Sequence, residues 1–152
     1  MRPEIKVIEM TFAIIDTNVL VSYFLSDKNS PPVAIMNKVF DGEIIPIFNC
    51  YLFDEYRNVL LRREFELDRS TVNSFLDIIQ TSGFDVESFE HTAALPDRKD
   101  VPIYELAILT RSDDSFLVTE NVKHFPSDDF VVTPKEFMNI LENRCVLEKR
   151  TI

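Results

Sequence analysis

Short apolar runs alternate with longer amphipathic segments along this chain, and this alternation is the strongest constraint on its fold. The apolar runs lie at residues 12–15, 44–48, 84–86, 115–119 and 130–132. Most of the segments between them place apolar residues at helical spacing, as in the strand–helix–strand units that build parallel sheets. We therefore predict a three-layer α/β fold whose mostly parallel central sheet carries helices on both faces.

Capping and turn residues indicate where the helices begin and end. Predicted helices cover residues 19–24, 31–41, 52–65 and 70–80, and two more begin at Asp100 and after Thr133. Gly42 stands where a glycine commonly ends a helix. Thr133 and Glu136 have the spacing of a capping box. Pro46, inside an apolar run, indicates a place near a sheet edge or a strand start.

The length of the chain fits one domain, because 152 residues can bury a sizeable core. We predict a single domain over residues 1–152, with residues 143–152 as a C-terminal arm. The arm's sequence leaves three alternatives open: a frayed end, an extra strand or an interface segment.

Composition excludes several classes of protein. The only glycines are Gly42 and Gly83, so no dinucleotide-binding or P-loop motif can be written in the chain. Two cysteines cannot build a disulfide framework, which indicates a reduced, cytoplasmic protein. No apolar run approaches the roughly 18 residues of a membrane span, and charged residues interrupt the N-terminus, so no membrane association is expected. The net charge of −10 opposes a general nucleic-acid-binding surface.

Acidic and amide side chains follow two of the predicted strands. Asp16, Thr17 and Asn18 come directly after the first strand, and residues 119–121 follow the fourth. Ligands of parallel sheets bind outside the carboxyl ends of the strands. We therefore expect these polar groups, together with Asp97 and Asp100 before the next helix, to meet in one cleft.

Glu55 is a further acidic residue that borders an apolar helical stripe, so its carboxylate is not expected to be fully solvated. Several carboxylates brought together repel one another unless a cation neutralises them, and hard divalent cations prefer oxygen ligands. A metal site is therefore a hypothesis. Taken singly, Asp16 and Asp100 could each be no more than a helix cap.

In these acidic segments and their order, the chain resembles the PIN-domain family of small metal-dependent ribonucleases, which include many prokaryotic toxins. The resemblance runs from Ala13 to about Ile140. Its motifs are residues 14–22 with Asp16, Glu55 in its helix, residues 97–100, and residues 117–126. Glu120 stands where the family commonly has glycine, and Asn121 where many members have aspartate.

The resemblance implies hydrolysis of RNA phosphodiester bonds with Mg²⁺ or Mn²⁺, in a protein that associates with itself and pairs with an antitoxin. It implies three groups of site residues: Asp16, Glu55 and Asp100 as catalytic residues; Asp16, Asp97, Asp100 and Asn121 at the metal; and Asn18, Thr119, Arg62, Arg63, Lys123 and His124 at the substrate. Arg62 and Arg63 are expected to share the helix of Glu55.

Two other functions stay open. Glu120 and Asn121 at the fourth motif would also suit a non-catalytic relative that binds RNA or protein. A phosphotransfer domain of the receiver type also gathers aspartates at strand ends. A receiver domain requires an aspartate directly after a middle strand. In this chain the predicted strand over residues 44–48 is followed by Asn49 instead.

Overall fold

The structure is a computed structural model that describes residues 10–86 and 100–150, with side chains described as far as Arg144. The strands are β1 (Thr11–Ile15), β2 (Ile44–Phe48), β3 (Phe84–Asp85), β4 (Phe116–Val118) and β5 (Val131–Val132). The helices are α1 (Thr17–Leu25), α2 (Pro31–Phe40), α3 (Cys50–Leu60), α4 (Arg69–Ser82), α5 (Val101–Leu109) and α6 (Pro134–Arg150). Short 3₁₀ turns lie at Arg63–Phe65, Arg111–Asp113 and Val122–His124.

All strand pairs of the described sheet are parallel, in the order β3-β2-β1-β4-β5. The central strand, β1, is buried on both faces, because the successive residues Ala13, Ile14 and Ile15 are at most 1% exposed. Successive side chains of a strand point to opposite faces, so helices must cover both sides. The predicted three-layer α/β fold is confirmed.

The strand order decides which loops meet. β1 pairs with β4 in parallel, with Ile15 opposite Val118, so the residues that follow both strands emerge side by side. The order also differs from the 2-1-3-4-5 order of receiver domains, because β1 lies between β2 and β4. The receiver interpretation is therefore wrong.

Local signals in the sequence correctly located several helix ends. Gly42 follows the last turn of α2 with φ of +82°, a left-handed conformation that glycine adopts without steric cost. The Glu136 N–H donates to Thr133 Oγ1 at 3.1 Å, and the Thr133 N–H donates to Glu136 Oε1 at 3.4 Å. This is the predicted capping box of α6.

One predicted helix boundary is wrong, and the C-terminal segment follows only some of its alternatives. α3 ends at Leu60 rather than near residue 65, because Arg62 takes an extended conformation with ψ of 138° that breaks the helical ladder. Arg62 and Arg63 therefore do not share the helix of Glu55. As far as the structure describes it, to Arg150, the C-terminal segment is part of α6 and not a strand. Whether this last part of α6 is an interface segment stays a prediction.

The proline in β2 lies beside the short edge strand. Phe48 accepts a hydrogen bond from Val86 N–H, so alternate peptide groups of β2, including Pro46, face β3. Pairing with β3 begins only at Ile47, opposite Phe84, so the missing N–H of Pro46 interrupts no ladder bond. The expectation that Pro46 lies near a sheet edge is confirmed.

Among the described helices, none is both long and apolar enough to cross a membrane.

We predict that Gly83→Ala destabilises the fold more than Gly42→Ala. A Cβ at Gly83 would lie 2.2 Å from the carbonyl oxygen of Pro46, whereas one at Gly42 meets nothing within 4 Å. The Gly83 change should cost about 3 kcal/mol of unfolding free energy through overpacking. The Gly42 change should cost about 1–2 kcal/mol through its left-handed backbone. Urea unfolding measures both, and a Gly83→Ala protein as stable as the parent would contradict the close approach.

Candidate active site

Asp16 joins the ends of two strands. It follows β1, caps the N-terminus of α1 and is only 7% exposed. Its Oδ1 accepts a hydrogen bond from the Thr17 N–H at 2.8 Å, the first N–H of α1, whereas an ordinary helix cap accepts from the second or third. Its Oδ2 accepts one from Thr119 Oγ1 at 2.8 Å, from the end of β4. Asp16 therefore does more than cap a helix.

Amide and hydroxyl groups surround the Asp16 carboxylate. Asn18 Nδ2 lies 3.4 Å from both Asp16 Oδ2 and Thr119 Oγ1, and Asn18 Oδ1 accepts from the Glu120 N–H at 3.3 Å. Thr119 Oγ1 also accepts from the Asn121 N–H at 3.0 Å. Thr119 is fully buried, and its hydroxyl orients the Asp16 carboxylate. A contact between Thr119 and a substrate stays a prediction.

Asp100 lies at the N-cap position of α5 but makes no capping hydrogen bond with its side chain. Its Oδ2 is buried and lies 3.6 Å from Nδ1 of His124. The Asp100 side chain is 15% exposed and that of His124 is 53% exposed, so a largely buried carboxylate lies beside an imidazole that solvent reaches. The interpretation of Asp100 as a simple helix cap does not fit this geometry.

Glu55 is half-buried on α3, as predicted, and its Oε2 is shielded from solvent. Its neighbour Tyr56 is 1% exposed and donates a hydrogen bond from its hydroxyl to the carbonyl oxygen of Ile15. Burial, followed by the negative charges of Asp16 and Glu55, raises the pKa of the Tyr56 hydroxyl well above its ordinary value. Tyr56 thus lies within electrostatic reach of both carboxylates.

Burial dominates the electrostatics of Asp16 and raises the pKa of its carboxyl above the ordinary value. The hydrogen bonds from Thr119 and Thr17 and the charge of His124 lower this pKa, while the nearby charge of Glu120 raises it. The net increase means that the folded protein disfavours the charged form of Asp16. A cation placed at this carboxylate would relieve that cost.

A sequence model of the PIN domain matches residues 13–123, which is most of the chain and includes every motif described above except the end of the fourth. The chain belongs to the PIN-domain family. PIN domains are generally nucleases and typically use divalent metal ions. Searches of curated proteins and of solved structures return no match.

The side chains of this PIN domain fit a hard divalent cation in their chemistry. Asp16, Asp100 and Glu55 offer carboxylate oxygens, the ligands that Mg²⁺ and Mn²⁺ prefer. The Asn121 side chain is exposed and makes no capping hydrogen bond in the turn that follows it. Within the part of the chain that the structure describes, no three acidic, histidine or cysteine side chains form a metal-binding group. Asp97 lies outside the described residues.

Basic side chains differ in their relation to the PIN-domain site. Lys123 and His124 are exposed in the 3₁₀ turn directly after Asn121, and His124 Nδ1 lies 3.6 Å from Asp100 Oδ2. Arg62 and Arg63 are exposed beyond the end of α3, where Arg62 lies 3.9 Å from Glu64. No contact among the described residues joins either arginine to Asp16 or Asp100.

Sequence reasoning missed the contacts of two residues at the site. Glu120 was expected in the cleft as one of residues 119–121 but was given no role; it accepts a hydrogen bond from Ser22 Oγ at 2.6 Å and influences Asp16 electrostatically. The spacing of Asn18 and Ser22, one helical turn apart, could have indicated that both face the same strand end. Tyr56 was assigned only to the apolar stripe of its helix, and nothing local shows that its hydroxyl reaches β1.

We predict that Asp16→Asn stabilises the metal-free PIN domain at neutral pH. Since folding raises the pKa of Asp16, charged Asp16 destabilises the native state above that pKa, and the penalty disappears where both states are protonated. The melting-temperature gain in EDTA should therefore be full at pH 7 and fade towards about pH 4.

The substitution Asp54→Asn, at an exposed position on α3, is the control. It should change the unfolding free energy by no more than about 0.5 kcal/mol at either pH. An Asp16→Asn protein that is less stable than the parent at pH 7 would show that the hydrogen bonds to the carboxylate outweigh its burial.

Proposed function

We propose that this PIN domain is a Mg²⁺- or Mn²⁺-dependent endoribonuclease that hydrolyses RNA phosphodiester bonds. The observation that carries the proposal is the Asp16 carboxylate, nearly buried at the point where the ends of β1 and β4 meet. Its hydrogen-bond donors are a backbone N–H, a hydroxyl and an amide, none of which neutralises its charge. A buried carboxylate of this kind suits a cation better than it suits an apolar core.

Asp16 and Asp100 would hold the cation, with Asp97 as a further ligand and with Glu55 and Asn121 binding directly or through water. When bound, such a cation polarises the scissile phosphate and makes a water molecule more acidic, which supports hydrolysis. Thr119 and Asn18 keep the Asp16 carboxylate in one orientation through their hydrogen bonds. The precise placement of charged groups is what lets such a site act without rearrangement.

The acidic chain also has to accept a polyanion. A divalent cation would reverse the local charge at the site even though the chain carries −10 overall. Lys123 and His124, exposed in the turn after Asn121, would contact RNA phosphates. Such contacts position the strand without reading its sequence. Arg62 and Arg63 remain proposed contacts for the more distant part of the RNA.

The finer biological role is proposed from the family alone. A toxin of a toxin–antitoxin pair would act in the cytoplasm, bind an antitoxin protein and form a homo-oligomer. Ile108 and Leu109, at the end of α5, are about half exposed and offer apolar surface for such association.

The decisive experiment incubates the purified protein with labelled single-stranded RNA in Mg²⁺, Mn²⁺ or EDTA. Cleavage should require the metal and should fall by at least about a hundredfold in Asp16→Asn and in Asp100→Asn, since each removes a charged ligand. Asp54→Asn should cleave like the parent. Circular dichroism checks that all variants are folded.

The neutral Asn121 favours a second candidate, a PIN domain that binds RNA without cleaving it. In that case RNA binding measured by fluorescence anisotropy would persist in EDTA, with no product under any metal. Such a result would exclude the ribonuclease and retain the binding module.

Asn121→Asp tests whether this residue belongs to the metal site. An added carboxylate should increase repulsion in the empty site and tighten binding of the cation. We expect a lower melting temperature in EDTA and a larger stabilisation by Mn²⁺, by about 1.4 kcal/mol for each tenfold gain in affinity. Asn73→Asp, exposed on α4, adds the same charge elsewhere and should leave the Mn²⁺ response unchanged. Superimposable Mn²⁺ titrations for Asn121→Asp and the parent would place Asn121 outside the site.

A further inference from the structure

The peptide group that joins Ile15 to Asp16 is held from both sides. Its N–H, on Asp16, donates to the Val118 carbonyl at 2.9 Å, which is the last bond between β1 and β4 at this end. Its C=O, on Ile15, points to the opposite side and accepts the hydrogen bond of the Tyr56 hydroxyl. Because a trans peptide is planar, these two bonds together fix the orientation of the plane from which Asp16 projects.

The second of these bonds lies beyond the ladder between β1 and β2. Pairing with β2 runs from Thr11 opposite Ile44 to Ala13 opposite Pro46, so Ile15 lies past the last of these pairs. The Tyr56 hydroxyl, from α3, therefore donates to a β1 carbonyl beyond the last backbone pair of β1 with β2. Buried carbonyl groups require a partner of this kind, since leaving one unpaired is costly.

We propose that Tyr56 is a positioning residue, whose hydroxyl ties α3 to the carboxyl end of β1 and thereby sets the spacing between the Asp16 and Glu55 carboxylates. This inference rests on the proposed metal-dependent function, because the spacing matters only if both carboxylates serve one cation. Glu55 precedes Tyr56 on α3, and Asp16 follows the carbonyl that Tyr56 holds. One hydrogen bond thus links the two acidic residues through the backbone of two different elements.

Core packing alone does not explain the hydroxyl. The Tyr56 ring is buried beside the Phe53 ring, with centroids 6.3 Å apart, and a phenylalanine would fill the same space. The hydroxyl, however, lies close enough to Asp16 and Glu55 for both charges to act on it. Burial of this hydroxyl is compensated by its hydrogen bond to the Ile15 carbonyl, which fixes it at the end of β1 directly before Asp16.

The test compares Tyr56→Phe with the parent by titrating Mn²⁺, with the free Mn²⁺ signal in electron paramagnetic resonance as the readout. Loss of a group that orients metal ligands typically weakens affinity by about tenfold or more. We expect the Mn²⁺ Kd to rise by about tenfold, kcat for RNA cleavage to fall and KM for RNA to stay the same. Replacement of Tyr56 by 4-aminophenylalanine, which retains an N–H donor, should restore the Mn²⁺ affinity.

Tyr104→Phe is the matched control, because the Tyr104 hydroxyl donates to Asp128 Oδ2 at 2.7 Å and makes no contact with the carboxylates of the site. It should lower the melting temperature without changing the Mn²⁺ Kd. If Tyr56→Phe behaves in the same way, Tyr56 is only a packing residue and the inference is overturned, while the proposed function stands. If the folded parent binds no Mn²⁺ and cleaves no RNA, the proposed function fails and the inference fails with it.

A double-mutant cycle provides a second decision. If Tyr56 acts by setting the position of Glu55, the combination of Tyr56→Phe with Glu55→Gln should weaken Mn²⁺ binding by less than the product of the single effects. Fully multiplicative effects would mean that the two residues act independently, which contradicts the proposed coupling.

Discussion

The parallel pairing of β1 with β4 is the interaction on which the rest of the site depends. These strands are distant in sequence, and Asp16 and Thr119, which follow them, are separated by 103 residues. In a parallel pair the carboxyl ends lie at the same edge of the sheet, so the residues that leave both strands must meet. The Asp16–Thr119 hydrogen bond results directly from that geometry. Without this pairing, Asp16 would be only the cap of α1.

The buried position of Asp16 connects the fold with the chemistry of the PIN domain. Burial raises the pKa of the carboxyl, and the neighbouring Glu120 raises it further. His124 acts in the opposite direction and also lies beside Asp100, so one exposed imidazole influences two carboxylates. Burial and Glu120 thus disfavour the charged form of Asp16. In the proposed function, a divalent cation would offset that cost and would let an acidic protein approach RNA.

The sequence predicted the strands, most helix bounds and the meeting of Asp16, Asn18 and residues 119–121. These predictions depend on periodicity, caps and the rule for parallel strand ends, all of which are visible locally. They failed where a local pattern continued past a change in the backbone. The apolar and basic pattern after Leu60 remains helical in spacing, but the extended Arg62 ends α3, so Arg62 and Arg63 lie elsewhere. The burial of Thr119 was not predicted, because it arises from strand packing and not from its neighbours in sequence.

The sequence by itself therefore determined which elements form, in which order, and which acidic residues follow the strands, because these properties depend on residues close together in the chain. Only the tertiary structure decided which side chains form hydrogen bonds at the ends of these strands. The strand order placed Thr119 beneath the Asp16 carboxylate, and the docking of α3 brought the Tyr56 hydroxyl to the Ile15 carbonyl. Both contacts join elements far apart in sequence, and a non-local contact depends on the strand order and helix packing of the whole domain rather than on any local pattern.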